Sequence, residues 1–305
     1  MRHVLIVHYS QTGQLDRLAE SVCAPLQDCS DIQVDFLQLQ PQQPYPFPWP
    51  FLEFFRIFPE TVLMRPQPLK PLAVDAGKRY DLIILAYQVW FLSPSQPMTA
   101  FLASPEAAQL LKDTPVVTLI GCRNMWLMAQ EKVKTKLSQL GARLVDNIAL
   151  TDACGTAASF LSTPLWMFTG RQKPYSWVPR AGIDEAEIVA ARRFGEAIRQ
   201  RLTADHLPIE QPMLKGLGAV KVDEKLIASE KVGNRSFQLW SRLLVAIGPR
   251  RSRRRAAGLV VYIVFLLCLI VTVVPVTALL KKLLAPLTKA RVQREKAYFA
   301  GPSGE

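Results

Sequence analysis

The sequence predicts an open, doubly wound α/β domain on a five-stranded parallel sheet, followed by a transmembrane helix near the C-terminus. Three observations predict it. Five short apolar runs have the length of strands, helical periodicity separates most of them, and one later run of 25 residues, 256–280, holds no charge. Strands alternating with helices build a parallel sheet covered on both faces, and such sheets bind ligands outside the carboxyl ends of their strands.

The first run, HVLIVHY (3–9), is apolar enough for a strand buried on both faces. Leu15, Leu18, Ala19, Val22 and Leu26 follow at spacings of three and four, which predicts a helix. The other four strands are IQVDFLQL (32–39), YDLIILAYQ (80–88), PVVTLIG (115–121) and RLVDNIAL (143–150), with helices over 97–111, 125–140 and 184–202. The gap between the second and third strands, longer than a crossover needs, holds an insertion at 40–77. Pro41, Pro44, Pro46, Pro48, Pro50 and Pro59 crowd there, and Phe47, Trp49, Phe51, Phe54, Phe55 and Phe58 fall within twelve residues. So many rings do not belong on a solvated loop. They form a lid over a ligand, dip into a bilayer, or pack on the sheet, and Trp166, Met167, Phe168, Tyr175 and Trp177 in 160–180 are candidates for the opposite wall.

The α/β domain is therefore placed at 1–204. Residues 205–255 are read as a connector or interfacial segment ending in Arg250, Arg251, Arg253, Arg254 and Arg255, then the span 256–280 and a basic tail 281–305. As a helix the span is about 37 Å long, enough to cross a hydrocarbon core of roughly 30 Å. Lys281, Lys282, Lys289, Arg291, Arg294 and Lys296 follow it, so positive charge brackets both ends and the positive-inside rule gives no clear orientation. Two topologies fit: a single crossing, which is the expectation taken forward, or a hairpin that returns to the same face with Pro275 as its bend. The arginine cluster places the main domain in the cytoplasm in either case.

The net charge of +12 suggests a nucleic-acid partner until it is divided. Residues 250–305 carry 11 Lys/Arg against 2 Asp/Glu, and residues 1–249 carry 26 against 23, so the charge belongs to the membrane segment and no nucleic acid is implied. Cys23, Cys29, Cys122, Cys154 and Cys268 show no C-x-x-C spacing and are read as unpaired thiols. With only His3, His8 and His206, neither a His-rich metal site nor a Ser/His/Asp triad is expected.

The loop after the first strand, Ser10-Gln11-Thr12-Gly13-Gln14, runs straight into a helix and offers hydroxyls and free backbone N–H groups to an anion. Neither G-x-x-x-x-G-K-[ST] nor G-x-G-x-x-G is present, so one phosphomonoester suits it better than a pyrophosphate. An ordinary capped strand–helix turn would carry the same pentapeptide. On Ser10, Thr12, Gly13 and Gln14 the chain resembles the flavodoxin-like family, whose phosphate loop cradles FMN; it departs at Gln14-Leu15, where many members carry a further hydroxyl. The resemblance implies that the loops after the third and fourth strands flank the flavin ring. They contain Gln88, Val89, Trp90 and Phe91, then Cys122, Arg123, Asn124 and Trp126. Their flat apolar rings suit stacking, and Gln88 and Asn124 suit the polar edge of a ring.

A second resemblance covers nearly the whole chain. YPFPWPF (45–51), FPETV (58–62), IILAYQVWFLSPS (83–95), GCRNMWLMAQEKV (121–133) and LGAVKVDEKLIASEK (217–231) resemble the bacterial dialkylresorcinol-condensing enzymes. That resemblance implies a bacterial inner-membrane protein, single-pass or monotopic, working with a ketosynthase partner. It would oxidise a 2,5-dialkylcyclohexane-1,3-dione to a dialkylresorcinol. Arg123 and Tyr87 are the candidates for polarising the enolisable oxygen, with Tyr175 behind them. Cys154 is read as an inert thiol. Two other functions stay open: an electron-transfer flavoprotein or quinone-type reductase, and a flavin-free membrane scaffold for the ketosynthase.

Overall fold

The computed structural model describes residues 1–204 and 209–304; at 156–157, 273–275 and 277–287 it describes the backbone only. His206 and Glu305, and the side chains of Pro275, Lys281 and Lys282, lie outside the described residues.

The sheet is built from β1 (Arg2–His8), β2 (Ile32–Gln38), β3 (Leu82–Trp90), β5 (Pro115–Cys122) and β6 (Arg143–Thr151), with a two-residue strand β4 (Ser93–Pro94) folded back on β3. The five long strands are parallel in the order β2-β1-β3-β5-β6. That is the flavodoxin-like doubly wound order, with its switch point between β1 and β3. β1, β3 and β5 are buried along most of their length because neighbours and helices cover them on every side.

Right-handed crossovers put α1 (Gln14–Gln27) on one face and α4 (Gln96–Leu102), α5 (Pro105–Leu111) and α6 (Leu127–Gln139) on the other. The single helix expected over 97–111 is two, because Pro105 starts a new one and Ser104 Oγ caps it by accepting from Ala107 N–H at 3.1 Å. The helix expected over 184–202 is likewise α8 (Glu185–Ala190) followed by α9 (Arg192–Ala204). α9 lies against α1 so closely that a Cβ on Gly195 would sit 1.8 Å from the carbonyl oxygen of Val22. α7 (Gly155–Thr169) occupies part of the stretch taken as a wall.

The insertion holds two short helices, α2 (Phe51–Arg56) and α3 (Phe58–Val62). The presumed connector is a folded part of the molecule. Residues 213–220 cover the edge of β6, with Ala149 N–H donating to Ala219 O at 2.8 Å and Asp146 accepting from Met213 and Leu214 N–H. α10 (Glu224–Ile247) then packs on α3 and α6. Its partner, α11 (Arg253–Ala300), begins inside the arginine cluster and contains a segment, Arg253–Thr272, long and apolar enough to cross a membrane, with mean hydropathy 2.4 and only 22% buried.

Candidate functional site

The loop 10–14 lies at the switch point, at the carboxyl end of β1. Gly13 has φ +77°, a conformation that costs a side-chain-bearing residue about 1 kcal/mol, and a Cβ there would meet nothing within 4 Å. The face of the loop is open. The Thr12 hydroxyl and the N–H groups of Thr12, Gly13 and Gln14 have no partner among the described residues, and they sit on the positive end of a 14-residue helix. Asp16, the acid in the first turn, is turned back onto His8 Nδ1 at 2.8 Å.

The fold engages two of the predicted phosphate ligands. Ser10 Oγ accepts from Leu15 N–H at 3.2 Å in the first turn of α1, which leaves its O–H able to donate. The Gln14 side chain is buried and bonded to both backbone groups of Ile183, at 3.0 and 3.1 Å, so only its N–H faces the loop. Gly182 makes this approach feasible, since a Cβ there would come within 2.9 Å of the Gln14 amide. Gln11 is a strut: its N–H donates to Gln88 Oε1, and its side chain donates to Pro46 O at 2.8 Å and Tyr45 O at 3.1 Å. The insertion is thus tied directly to the loop.

Above the loop stands an aromatic box. Trp90 meets Tyr45 at 5.1 Å, Trp49 at 5.9 Å and Tyr9 at 6.0 Å between ring centroids, each near perpendicular, the favourable edge-to-face geometry. Tyr9 donates to Gln11 Oε1 and Tyr45 to Gln96 Oε1, while Gln96 donates to Thr61 Oγ1 and Ile57 O. Burial raises the pKa of both phenols, which therefore remain protonated donors. Trp90 is 8% exposed, so its face is covered by the insertion and does not stand open for stacking. The wall proposed at 160–180 meets the box through α7: Trp49 N–H donates to Met167 O, Phe47 packs on Trp166, and Phe51 and Phe54 pack on Phe168. Tyr175 and Trp177 stack on each other and are exposed, away from the box core.

Beyond Trp90 the chain turns through Phe91 and Leu92, both at positive φ (50° and 56°), so that β4 can pair back on β3. Non-glycine residues rarely adopt this conformation, and such strain of about 1–3 kcal/mol per residue clusters at functional sites. Val89 lies in this hairpin, paired with Pro94. Phe91 touches Phe54, Phe55 and Phe58, which links the box to the cluster of Phe58, Tyr262 and Phe237 around α10 and α11.

On the far loop, Arg123 is half-buried with its guanidinium 4.0 Å from the Phe160 ring centroid; burial disfavours its charge and the Asp152 carboxylate partly offsets this. Asn124 is half-buried beside it, and the Cys122 thiol is pushed up by burial. Two expectations fail here. Tyr87 is fully buried and donates to Gln130 Oε1 at 2.6 Å, part of a core chain that continues to Thr118 and Asn147, so it meets no substrate. Trp126, the residue that caps the start of α6, is 2% exposed and packed into the main core, so its ring does not stand open to a ligand. Cys154, held by Ser162 and raised by burial, is a poor nucleophile.

Residues that the sequence reading passed over also converge here. Tyr9 and Gln96 complete the box. Glu230 of α10 is fully buried and accepts from Met128 N–H at 2.9 Å at the start of α6, with its pKa pushed up to about 7 by burial. Lys132 donates to Val62 O and Ser93 Oγ, and burial lowers it to about 8. No local pattern announces either, since the partner of each lies at least 39 residues away.

No protein family matches the chain, and neither does any curated protein. Among solved structures it is similar to a flavoprotein in complex with FMN from Lactobacillus acidophilus NCFM, at 15% identity over 48% of this chain and 92% of that one (TM-score 0.39). A flavodoxin from the domain Archaea is 9% identical over 66% and 99% (TM-score 0.38), and RosB with a bound riboflavin-phosphate intermediate is 12% identical over 73% and 100% (TM-score 0.33). The strand order itself defines the fold.

Proposed function

We propose that the protein is a membrane-anchored FMN-dependent oxidoreductase that aromatises an apolar cyclic diketone, a 2,5-dialkylcyclohexane-1,3-dione, to a dialkylresorcinol. One observation carries this reading: a donor-rich loop at the switch point, built of Thr12, Gly13 and the Gln14 N–H, is tied to an aromatic insertion that is continuous with α10 and the apolar start of α11. The donor set suits a phosphomonoester, which would be held by Thr12 Oγ1 and the three N–H groups without a lysine. When bound, FMN supplies a two-electron acceptor; the substrate loses two hydrogens, one as hydride and one as a proton α to a carbonyl.

The chain's own residues account for the rest. Tyr45, Trp49 and Trp90 exclude water, and the apolar route through Phe91 and Phe58 suits alkyl chains drawn from a bilayer. Arg123 is the cation that would stabilise a developing enolate oxygen, and its partly desolvated setting would strengthen that interaction. The ketosynthase remains the partner that would supply the diketone.

The test is the full chain purified in detergent and reconstituted with FMN. A yellow protein whose colour is bleached anaerobically by a dialkylcyclohexanedione is the expected result. Colour without bleaching would instead favour an electron-transfer flavoprotein, and no colour a flavin-free scaffold.

A further inference from the structure

The membrane reading above treats α11 as an anchor, and the contacts of its two ends bear on how that anchor sits. At its start, Arg255 is buried and paired with Glu60 of α3 at 2.7 Å, while Leu259, Tyr262 and Ile263 pack on α3 and α10. At its end, Phe299 is buried in the main core and Tyr298 donates to Glu131 of α6 at 2.7 Å. Lys296 pairs with Glu224, and Glu295 with Lys231, both at 2.9 Å. Just beyond the helix, Ser303 is 1% exposed, donating to Asp146 Oδ1 and accepting from Asn147 N–H, each at 2.6 Å. Both ends of α11 are therefore fastened to one and the same domain.

A straight helix cannot do this. Phe265 packs on Trp240, and Gln293 donates to Glu224. Those positions on α11 lie about 42 Å apart along a straight helix, whereas their partners on α10 lie about 24 Å apart at 1.5 Å per residue. The direction agrees: Leu259 and Tyr262 run antiparallel to α10, while Gln293 to Phe299 advance with it from Glu224 to Lys231. The helix must bend outward and return. Two arms of roughly 14 residues on that base carry the bend about 17 Å out, short of the roughly 30 Å of a hydrocarbon core.

The surface fits the same geometry. Val260, Val261, Val264, Leu267 and Val271 are exposed, flanked by Leu239 and Leu243 of α10. Arg251, Arg253 and Arg254 stand exposed at the start of the loop, and Lys289, Arg291 and Arg294 at its return. Positive charge at both ends, which defeats the positive-inside rule for a crossing helix, is what an element that leaves and rejoins one anionic face requires.

We infer that α11 is a re-entrant element that enters one leaflet of a bilayer and returns, so that the α/β domain and the C-terminus share one side. The inference rests on the anchor reading and replaces its single crossing. The experiment uses the full chain with an epitope after Glu305, in vesicles of each orientation. Protease is applied from one side at a time, and a membrane-impermeant maleimide is mapped by peptide mass at Cys268. The expected result is loss of the epitope and digestion of the domain from the same side, with Cys268 modified from neither. Epitope and domain cut from opposite sides would overturn the re-entrant element while leaving an anchor. Modification of Cys268 from the domain's side would overturn insertion in favour of a surface helix. Release of the chain from membranes by alkaline wash would overturn the anchor itself.

Discussion

At the scale of single residues, the site depends on which polar groups the fold leaves free. Ser10, Thr12 and Gln14 match the loop pattern in sequence, yet a clamp on Ile183 consumes the Gln14 side chain and Ser10 Oγ also accepts from Leu15 N–H, so Thr12 carries the hydroxyl with no partner among the described residues. Removing that hydroxyl in Thr12→Ala deletes one charge-assisted hydrogen bond, about 1.5–3 kcal/mol, so the FMN dissociation constant should rise at least about tenfold. Titration of flavin fluorescence checks this, and unchanged affinity would remove Thr12 from the cradle. Glu230 makes a different prediction. Burial pushes its pKa in the folded protein up to about 7, above its ordinary value, so its contribution to stability is full below about pH 4.5 and is lost as pH rises through 7. Glu230→Gln should flatten that dependence and leave the protein more stable at pH 8, by on the order of 3 kcal/mol. Denaturation in detergent, followed by tryptophan fluorescence at pH 5 and pH 8, measures it; an unchanged pH slope would show that Glu230 is not the titrating group. The added amide also offers a donor on the helix face that carries Asn234, whose buried oxygen has no partner among the described residues.

At the scale of elements, close approach decides more than composition does. Gly195 reads in sequence as an interruption of a helix, and its role emerges only where α9 crosses α1 over the Val22 carbonyl. Gly195→Ala must push the helices apart, an overpacking that typically costs about 1–3 kcal/mol and occasionally more. The expected outcome is a lowered thermal midpoint with the flavin loop chemically intact. The strands were legible to within two residues because a strand buried on both faces needs an uninterrupted apolar run, as in β1, β3 and β5. α10 was not, because its buried face mixes Ile227, Glu230, Ser241 and Leu244, and the N–H that Glu230 accepts from, Met128, lies 102 residues away. Tyr87 and Trp126 were misjudged for the converse reason: being next to a ligand loop in sequence does not tell which side of the sheet a side chain takes.

At the scale of the whole molecule, the chain closes on itself. Asp146 in edge strand β6 gathers N–H groups from Met213 and Leu214 and the hydroxyl of Ser303, so the connector and the extreme C-terminus meet at one buried carboxylate. Ser303→Ala removes a bond to a charged acceptor, about 1.5–3 kcal/mol, and should free the tail without disturbing the sheet. Faster carboxypeptidase trimming, with the thermal midpoint lowered by a few degrees, is the expected reading, and equal trimming rates would show that the tail is held elsewhere. This closure also explains the aromatic insertion. It packs on Trp90, on α7 and on Tyr262 together, so the insertion, α7 and the start of α11 form one continuous apolar body.

The strands, their parallel class, the loop of residues 10–14 and the apolar segment with its flanking charges are all legible along the chain. Each of these is local: periodicity, charge and turn chemistry act over a few residues, so a linear reading reaches them. Folding alone sets that the Gln14 side chain is withdrawn onto Ile183, that the insertion is tied to the loop through Gln11, and that both ends of α11 return to one domain. Those outcomes depend on contacts between residues dozens to more than a hundred positions apart, such as Gln14 with Ile183, Arg255 with Glu60 and Ser303 with Asp146. Their energies exist only once packing has brought the partners together and taken them out of water.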